Sequence, residues 1–346
     1  MSEFIEQDLD ALCLALQMNE GANPSIELTN SIFELAKQHN VLWPLMSNGG
    51  LHVGNPLVSS LKSQIQTLAE ALPEELKAVN EALSAVCRPI YLKGAAILIE
   101  HNFAPQLWRY MADFDMLVEK NDFKAAISAM EGIGYSTNAD EQYLPRLNPH
   151  FPIFCQTGRI CGIEIHTRLL QDQIRSFLDP DDIRTRAQTI QTSQGPILIA
   201  SIYDRLIHLI AHAQIGSHRY HRRQFLIRDA VEFYYLLSRP NADYEAVKTT
   251  FQAAGYITHF ESFVAMASNI MPIKSFKNTP WPRKKQKWVV EARRNILDKQ
   301  RHNLWVIKDW ARIGGIIIFT PSKWRSYTKL IMRGNYLTHK VDKQFK

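Results

Sequence analysis

Asp113 and Asp115 stand one residue apart in the run Arg109-Tyr110-Met111-Ala112-Asp113-Phe114-Asp115-Met116-Leu117-Val118. In a β-strand, side chains i and i+2 point to the same face, so both carboxylates can be presented to one site. Left unneutralised, such a pair repels and one pKa rises. A hard divalent cation such as Mg²⁺ resolves the conflict with oxygen ligands. An Asp-x-Asp triplet alone is usually a solvated turn, so its surroundings decide. Downstream, the alternating run Cys161-Gly162-Ile163-Glu164-Ile165-His166 puts Glu164 and His166 on one strand face. Three carboxylates on adjacent strands suit phosphoryl-type transfer, in which cations neutralise phosphate charge and stabilise the entering and leaving oxygens.

These residues need rigid elements to position them. Arg88-Pro89-Ile90-Tyr91-Leu92-Lys93-Gly94 reads as a short strand ending at glycine, followed by the helical pattern Ala95 to Glu100. Gly94 would then lie at a helix N-terminus, where backbone N–H groups favour phosphate. A second strand covers Asp113–Val118. Asn121 or Asp122 is expected to cap a helix from Phe123 to Met130, closed at Gly132 and Gly134. Residues 4–85 carry helical spacing, as in Ile5, Leu9, Leu12, Leu16 and again in Leu57, Leu61, Ile65, Leu68. After Leu169 the pattern is again helical, over Ile202 to Ala213, Gln224 to Leu237 and Tyr244 to Ala253. The expected organisation is a helical region over 1–85, an α/β core over 86–170, a helical domain over 171–272 and a basic, aromatic-rich segment over 273–346.

Composition bounds the class. With 346 residues, 46% hydrophobic and 21% charged, the chain can bury a substantial core. No apolar run approaches the roughly 20 residues of a membrane-spanning helix, and Met1 to Asp10 lacks the pattern of a signal peptide. A cytoplasmic location is expected. Cys13, Cys87, Cys155 and Cys161 have no Cys-x-x-Cys spacing, which argues against a zinc site or a disulfide framework. The net charge of +6 is uneven: residues 274–346 hold 19 Lys and Arg against 4 Asp and Glu, leaving 21 against 30 in residues 1–273.

The motifs taken together resemble a known group. Leu92-Lys93-Gly94-Ala95-Ala96, Arg109-x-x-x-Asp113-Phe114-Asp115-Met116-Leu117-Val118, Gly134-Tyr135 and Ile163-Glu164-Ile165-His166 look like the uncharacterised bacterial nucleotidyltransferase family of the DNA-polymerase-β-like superfamily. The resemblance continues through His208 and His212, Leu226-Ile227-Arg228-Asp229, and Phe319-Thr320-Pro321-Ser322-x-Trp324. It implies an α+β fold, a small mixed-sheet nucleotidyltransferase core flanked by N-terminal and C-terminal helical regions. It also implies transfer of a nucleoside monophosphate from an NTP to an acceptor, with Mg²⁺ or Mn²⁺ as cofactor and pyrophosphate released. Asp113 and Asp115 would match the paired metal ligands. Glu164 would match the third carboxylate, which helps hold the metal and orients or deprotonates the acceptor hydroxyl. Superfamily members usually carry Gly-Ser at the first turn, where this sequence has Lys93-Gly94-Ala95. Lys93 could supply a cation there, and Arg109 could pair with phosphate through its planar fork. His166 is expected to bear on the nucleotide or to brace the ligand two positions before it.

His208 and His212 share a helical face, but Leu209-Ile210-Ala211 between them supplies no glutamate of a metalloprotease motif. They fit a packed helix bordering the nucleotide cleft. Residues 273–346 interleave basic residues with Trp281, Trp288, Trp305, Trp310 and Trp324. This segment packs on the acidic body, seats peripherally on an anionic membrane at the inner face, or grips nucleic acid. The acceptor is open among protein, sugar, lipid head group and RNA. A competing reading, to which the Lys93-Gly94-Ala95 departure points, is a catalytically inactive scaffold that keeps the fold and binds membrane or nucleic acid through its tail. A third is transfer of the γ-phosphate.

Overall fold

The computed structural model describes residues 2–17, 29–47, 56–104, 111–137, 151–170, 177–273, 276 and 279–297. Arg109 and residues 298–346 lie outside them, and with them most of the basic aromatic tail.

The chain enters through four helices, α1 (Ser2–Gln17), α2 (Asn30–Gln38), α3 (Leu42–Ser47) and α4 (Pro56–Ser84). Helix α2 starts where Thr29 accepts the Ile32 N–H at 3.2 Å, satisfying one of the donors a helix start leaves open. Ile32, Leu35 and Ala36 of α2 are buried, as are Leu72, Leu76, Val79 and Leu83 of α4, so each helix turns an apolar stripe inward.

The sheet follows. Strand β1 (Ile90–Tyr91) leads into α5 (Lys93–Glu100), β2 (Asp113–Leu117) into α6 (Phe123–Gly132), and β3 (Gly162–His166) follows. After α7 (Pro180–Arg186) come β4 (Gln188–Thr192) and β5 (Gly195–Ile199), completing a mixed sheet of order β3-β2-β1-β5-β4. Strand β1 pairs antiparallel to β2 and parallel to β5, β2 runs parallel to β3, and β4 and β5 form an antiparallel hairpin. The helical reading of the stretch after Leu169 is thus corrected at residues 188–199. Residues Gln188–Thr192 alternate between half-buried and exposed positions, the period of a strand, and Gly195 at φ +91° closes a turn that other residues would strain.

Two boundaries also differ from expectation. The first strand ends at Tyr91, two residues before Lys93. Asp122 occupies the N-cap of α6 but makes no capping hydrogen bond with its side chain.

Helices α8 (Ile202–Ala211), α9 (Arg219–Arg222), α10 (Ile227–Leu237), α11 (Tyr244–Ala253), α12 (Ile257–Ile270) and α13 (Arg283–Leu297) follow, with a π-helical turn at His212–Gly216. Ser201 accepts the Asp204 N–H and donates its hydroxyl to Asp204, whose carboxylate also takes the Arg186 guanidinium at 2.7 Å. Arg205 of α8 pairs with Glu100 at the end of α5 at 2.7 Å. That ion pair ties the helix after the first strand to the C-terminal bundle. Buried apolar side chains from Leu9 to Ile296 form one contiguous cluster.

Candidate active site

Backbone pairing brings the chemistry together before any side chain acts. Leu92 donates its N–H to the Asp115 carbonyl at 3.0 Å, which holds Lys93 beside the middle of β2. In the parallel β2–β3 ladder, Asp115 is level with Glu164 and Leu117 with His166. Asp113 and Asp115 share one face of β2, and Glu164 and His166 share the same face of β3. Phe114, Met116, Ile163 and Ile165 point to the other face, where all four are fully buried.

Glu75 of α4 fixes the approach to β3. Its carboxylate accepts the N–H groups of Ile160 at 2.7 Å and Cys161 at 3.1 Å. Glu75 lies 85 residues before Ile160, and nothing in its local sequence marks this role.

The polar centre is compact. Lys93 Nζ donates to Asp115 Oδ1 at 2.5 Å, and His166 Nε2 lies 2.9 Å from the same oxygen. His166 Nε2 also stands 3.6 Å from Glu164 Oε2. One ligand atom from each of Asp115, Glu164 and His166 can be chosen so that all lie within 4.8 Å of one another. Carboxylate oxygens with one imidazole form a donor set that accepts a hard divalent ion, so these residues fit the expected metal. Asp115 is 1% exposed and Glu164 16%, which leaves Glu164 the more open of the two.

The electrostatics follow from this crowding. Burial alone would raise the Asp115 carboxyl, yet the Lys93 ammonium and the His166 hydrogen bond hold it well below the usual carboxylate range. Burial alone would lower Lys93, yet Asp115, then Glu164, then Asp113 hold it above the usual lysine range. His166 is likewise raised against its burial, by its hydrogen bond to Asp115 and by Glu164. His208 of α8 is buried, and burial together with the Lys93 charge pushes its imidazole down to about 3. It therefore borders the centre as a neutral group.

Of the residues singled out from sequence, Lys93, Asp115, Glu164 and His166 meet. Asp113 is partly exposed at the start of β2, level with Gly162, and stands outside the group of Asp115, Glu164 and His166, while its charge still acts on Lys93. Gly94 is buried in the first turn of α5. The left-handed residue of that turn is Lys93, at φ +44°, and not the glycine. Arg109 lies outside the described residues. Sequence reasoning expected Lys93 to face phosphate and missed its direct pairing with Asp115.

Two carboxylates and a cation on a strand-turn-helix scaffold can bind metal and orient phosphate. No curated protein matches the chain. The model of an uncharacterised nucleotidyltransferase family matches residues 29–272, a span that holds the whole sheet and every side chain of this polar centre. The chain belongs to that uncharacterised nucleotidyltransferase family.

Proposed function

We propose that the protein transfers a nucleoside monophosphate from an NTP to an acceptor hydroxyl, with Asp113, Asp115 and Glu164 holding Mg²⁺ or Mn²⁺. The observation that carries this reading is the convergence of Asp115, Glu164 and His166 on one sheet face, within a chain of nucleotidyltransferase family. A hard divalent ion bound there supplies charge neutralisation on the triphosphate and polarises the phosphorus under attack.

The residues do the rest. Glu164, the more open carboxylate, orients the acceptor hydroxyl and takes its proton as oxygen bonds to the α-phosphorus and the bond to pyrophosphate breaks. His166 fixes the Asp115 carboxylate through its Nε2. The N-terminus of α5 at Gly94, with Arg109, receives the phosphates. The acceptor is a protein, sugar, lipid head group or RNA. In this reading the enzyme works in the cytoplasm, and residues 273–346 can bring it to an anionic membrane surface.

Calorimetry with each NTP and Mg²⁺ tests the proposal. Binding should require the metal and vanish when Asp113→Ala and Asp115→Ala are combined. Incubation with α-labelled NTP and a cell extract should then label one class of molecule and release pyrophosphate. Absence of nucleotide binding to the unmodified chain would support the scaffold reading, and release of NDP the γ-phosphate reading.

A further inference from the structure

The carboxylate cluster already contains a cation. Lys93 Nζ lies 2.5 Å from Asp115 Oδ1, and the backbone of this lysine stands at φ +44°. A left-handed lysine persists where the surroundings over-determine it, and such strain gathers at functional positions. The Leu92 N–H bond to the Asp115 carbonyl is one part of that determination, and the ion pair is the other. The Lys93 side chain keeps 25% of its surface exposed, more than Asp115 at 1% or Glu164 at 16%.

In two-metal phosphoryl-transfer sites the ions stand about 3.5–4 Å apart and share one group of carboxylates. Here Asp115 Oδ1 is engaged by both Lys93 and His166. The ammonium thus stands against the oxygen that a second ion would need. Charge leads to the same result. Asp113, Asp115 and Glu164 carry three negative charges, Lys93 cancels one, and a single divalent ion cancels the other two. A second divalent ion would leave the nucleotide-free pocket positive, and any charge on His166 would add to that excess.

We propose that this pocket binds one divalent cation, not two, and that the Lys93 ammonium is its built-in second cation. The inference rests on the metal pocket of the proposed function and concerns only how many ions it holds. Electron paramagnetic resonance of Mn²⁺ added to the nucleotide-free protein counts them without reference to activity. The unmodified chain should bind one ion. Lys93→Met should bind a second ion, or hold Mn²⁺ about tenfold more tightly, because a unit charge beside the ligands is gone. Lys93→Gln repeats the test if the methionine variant does not fold, and Lys93→Arg, which keeps the charge, should still bind one. Two ions in the unmodified chain would overturn the inference and leave the metal pocket standing. So would Lys93→Met and Lys93→Gln variants that bind a single ion with affinity unchanged within about twofold. No Mn²⁺ in any of these proteins would overturn both.

Discussion

His166 meets the centre at Asp115 Oδ1, 2.9 Å away, and stands 3.6 Å from Glu164 Oε2, so its removal tests how far it holds these carboxylates in place. With His166→Ala, Asp115 Oδ1 keeps the Lys93 ammonium and loses the imidazole at 2.9 Å. Losing a group that orients a ligand typically costs about 10–100-fold in activity or metal affinity, and pyrophosphate release should fall by that factor. His166→Gln, which restores a donor, should recover part of the loss. A second histidine sets a pH dependence. His39 is buried at the end of α2, its Nδ1 accepts the Ile227 N–H at 3.3 Å, and burial pushes its pKa down from 6.5 to about 3. Folding favours the neutral form of such a base. Its contribution is therefore complete above pH 6.5 and is lost as pH falls from 6.5 toward 3. Urea melts at steps between these values should show stability falling by a few kcal/mol, and His39→Gln should flatten part of that slope.

At the level of elements, β3 depends on a helix some 85 residues away in sequence. Glu75→Ala would leave the Ile160 and Cys161 N–H groups without their acceptor, and hydrogen bonds to a charged group contribute about 1.5–3 kcal/mol each. A loss of about 3 kcal/mol is expected in denaturant melts, with Glu75→Gln, which retains one acceptor oxygen, losing less. That tether could not be read from sequence, because nothing local to Glu75 marks its partner. The motif-bearing elements were legible for the opposite reason. The Asp113–Leu117 and Gly162–His166 strands carry their own two-residue period and end beside helix signals, so their faces and the meeting of Glu164 with His166 followed directly. Strand β1 is two residues long and is held by β2 and β5 on either side, so its end was misplaced. The β4–β5 hairpin was not legible, because Gln188–Thr192 holds one apolar residue, Ile190, and the apolar helical periods after Ile202 dominated that stretch. Lys93 at a left-handed position was illegible, since residue type there favours Gly94.

For the whole molecule, the question is how much of the basic C-terminal segment belongs to the folded body. Helix α13 does. Trp288, Ala292 and Ile296 are buried, Trp288 Nε1 donates to the Tyr220 carbonyl at 2.9 Å, and Arg293 reaches Asp10 of α1 at 2.6 Å. Over Arg283–Leu297, then, the basic segment packs on the rest of the chain. Its outer face still presents Arg283, Lys287 and Arg294 on one helical stripe with the exposed Val290. No helix among the described residues is long and apolar enough to cross a membrane. A cut near Pro272 would therefore confuse binding with unfolding, since it removes the cover over Tyr220 and α12. A cut after Leu297 keeps α13 and removes residues 298–346. The shorter chain should melt within a few degrees of the full one, whereas the chain cut near Pro272 should lose cooperative melting. If residues 298–346 carry the membrane contact, the chain cut after Leu297 should lose salt-sensitive flotation with anionic liposomes while its Mn²⁺ binding stays unchanged. Equal flotation of both chains would assign the contact to the basic stripe of α13, and no flotation of the full chain would remove the membrane idea.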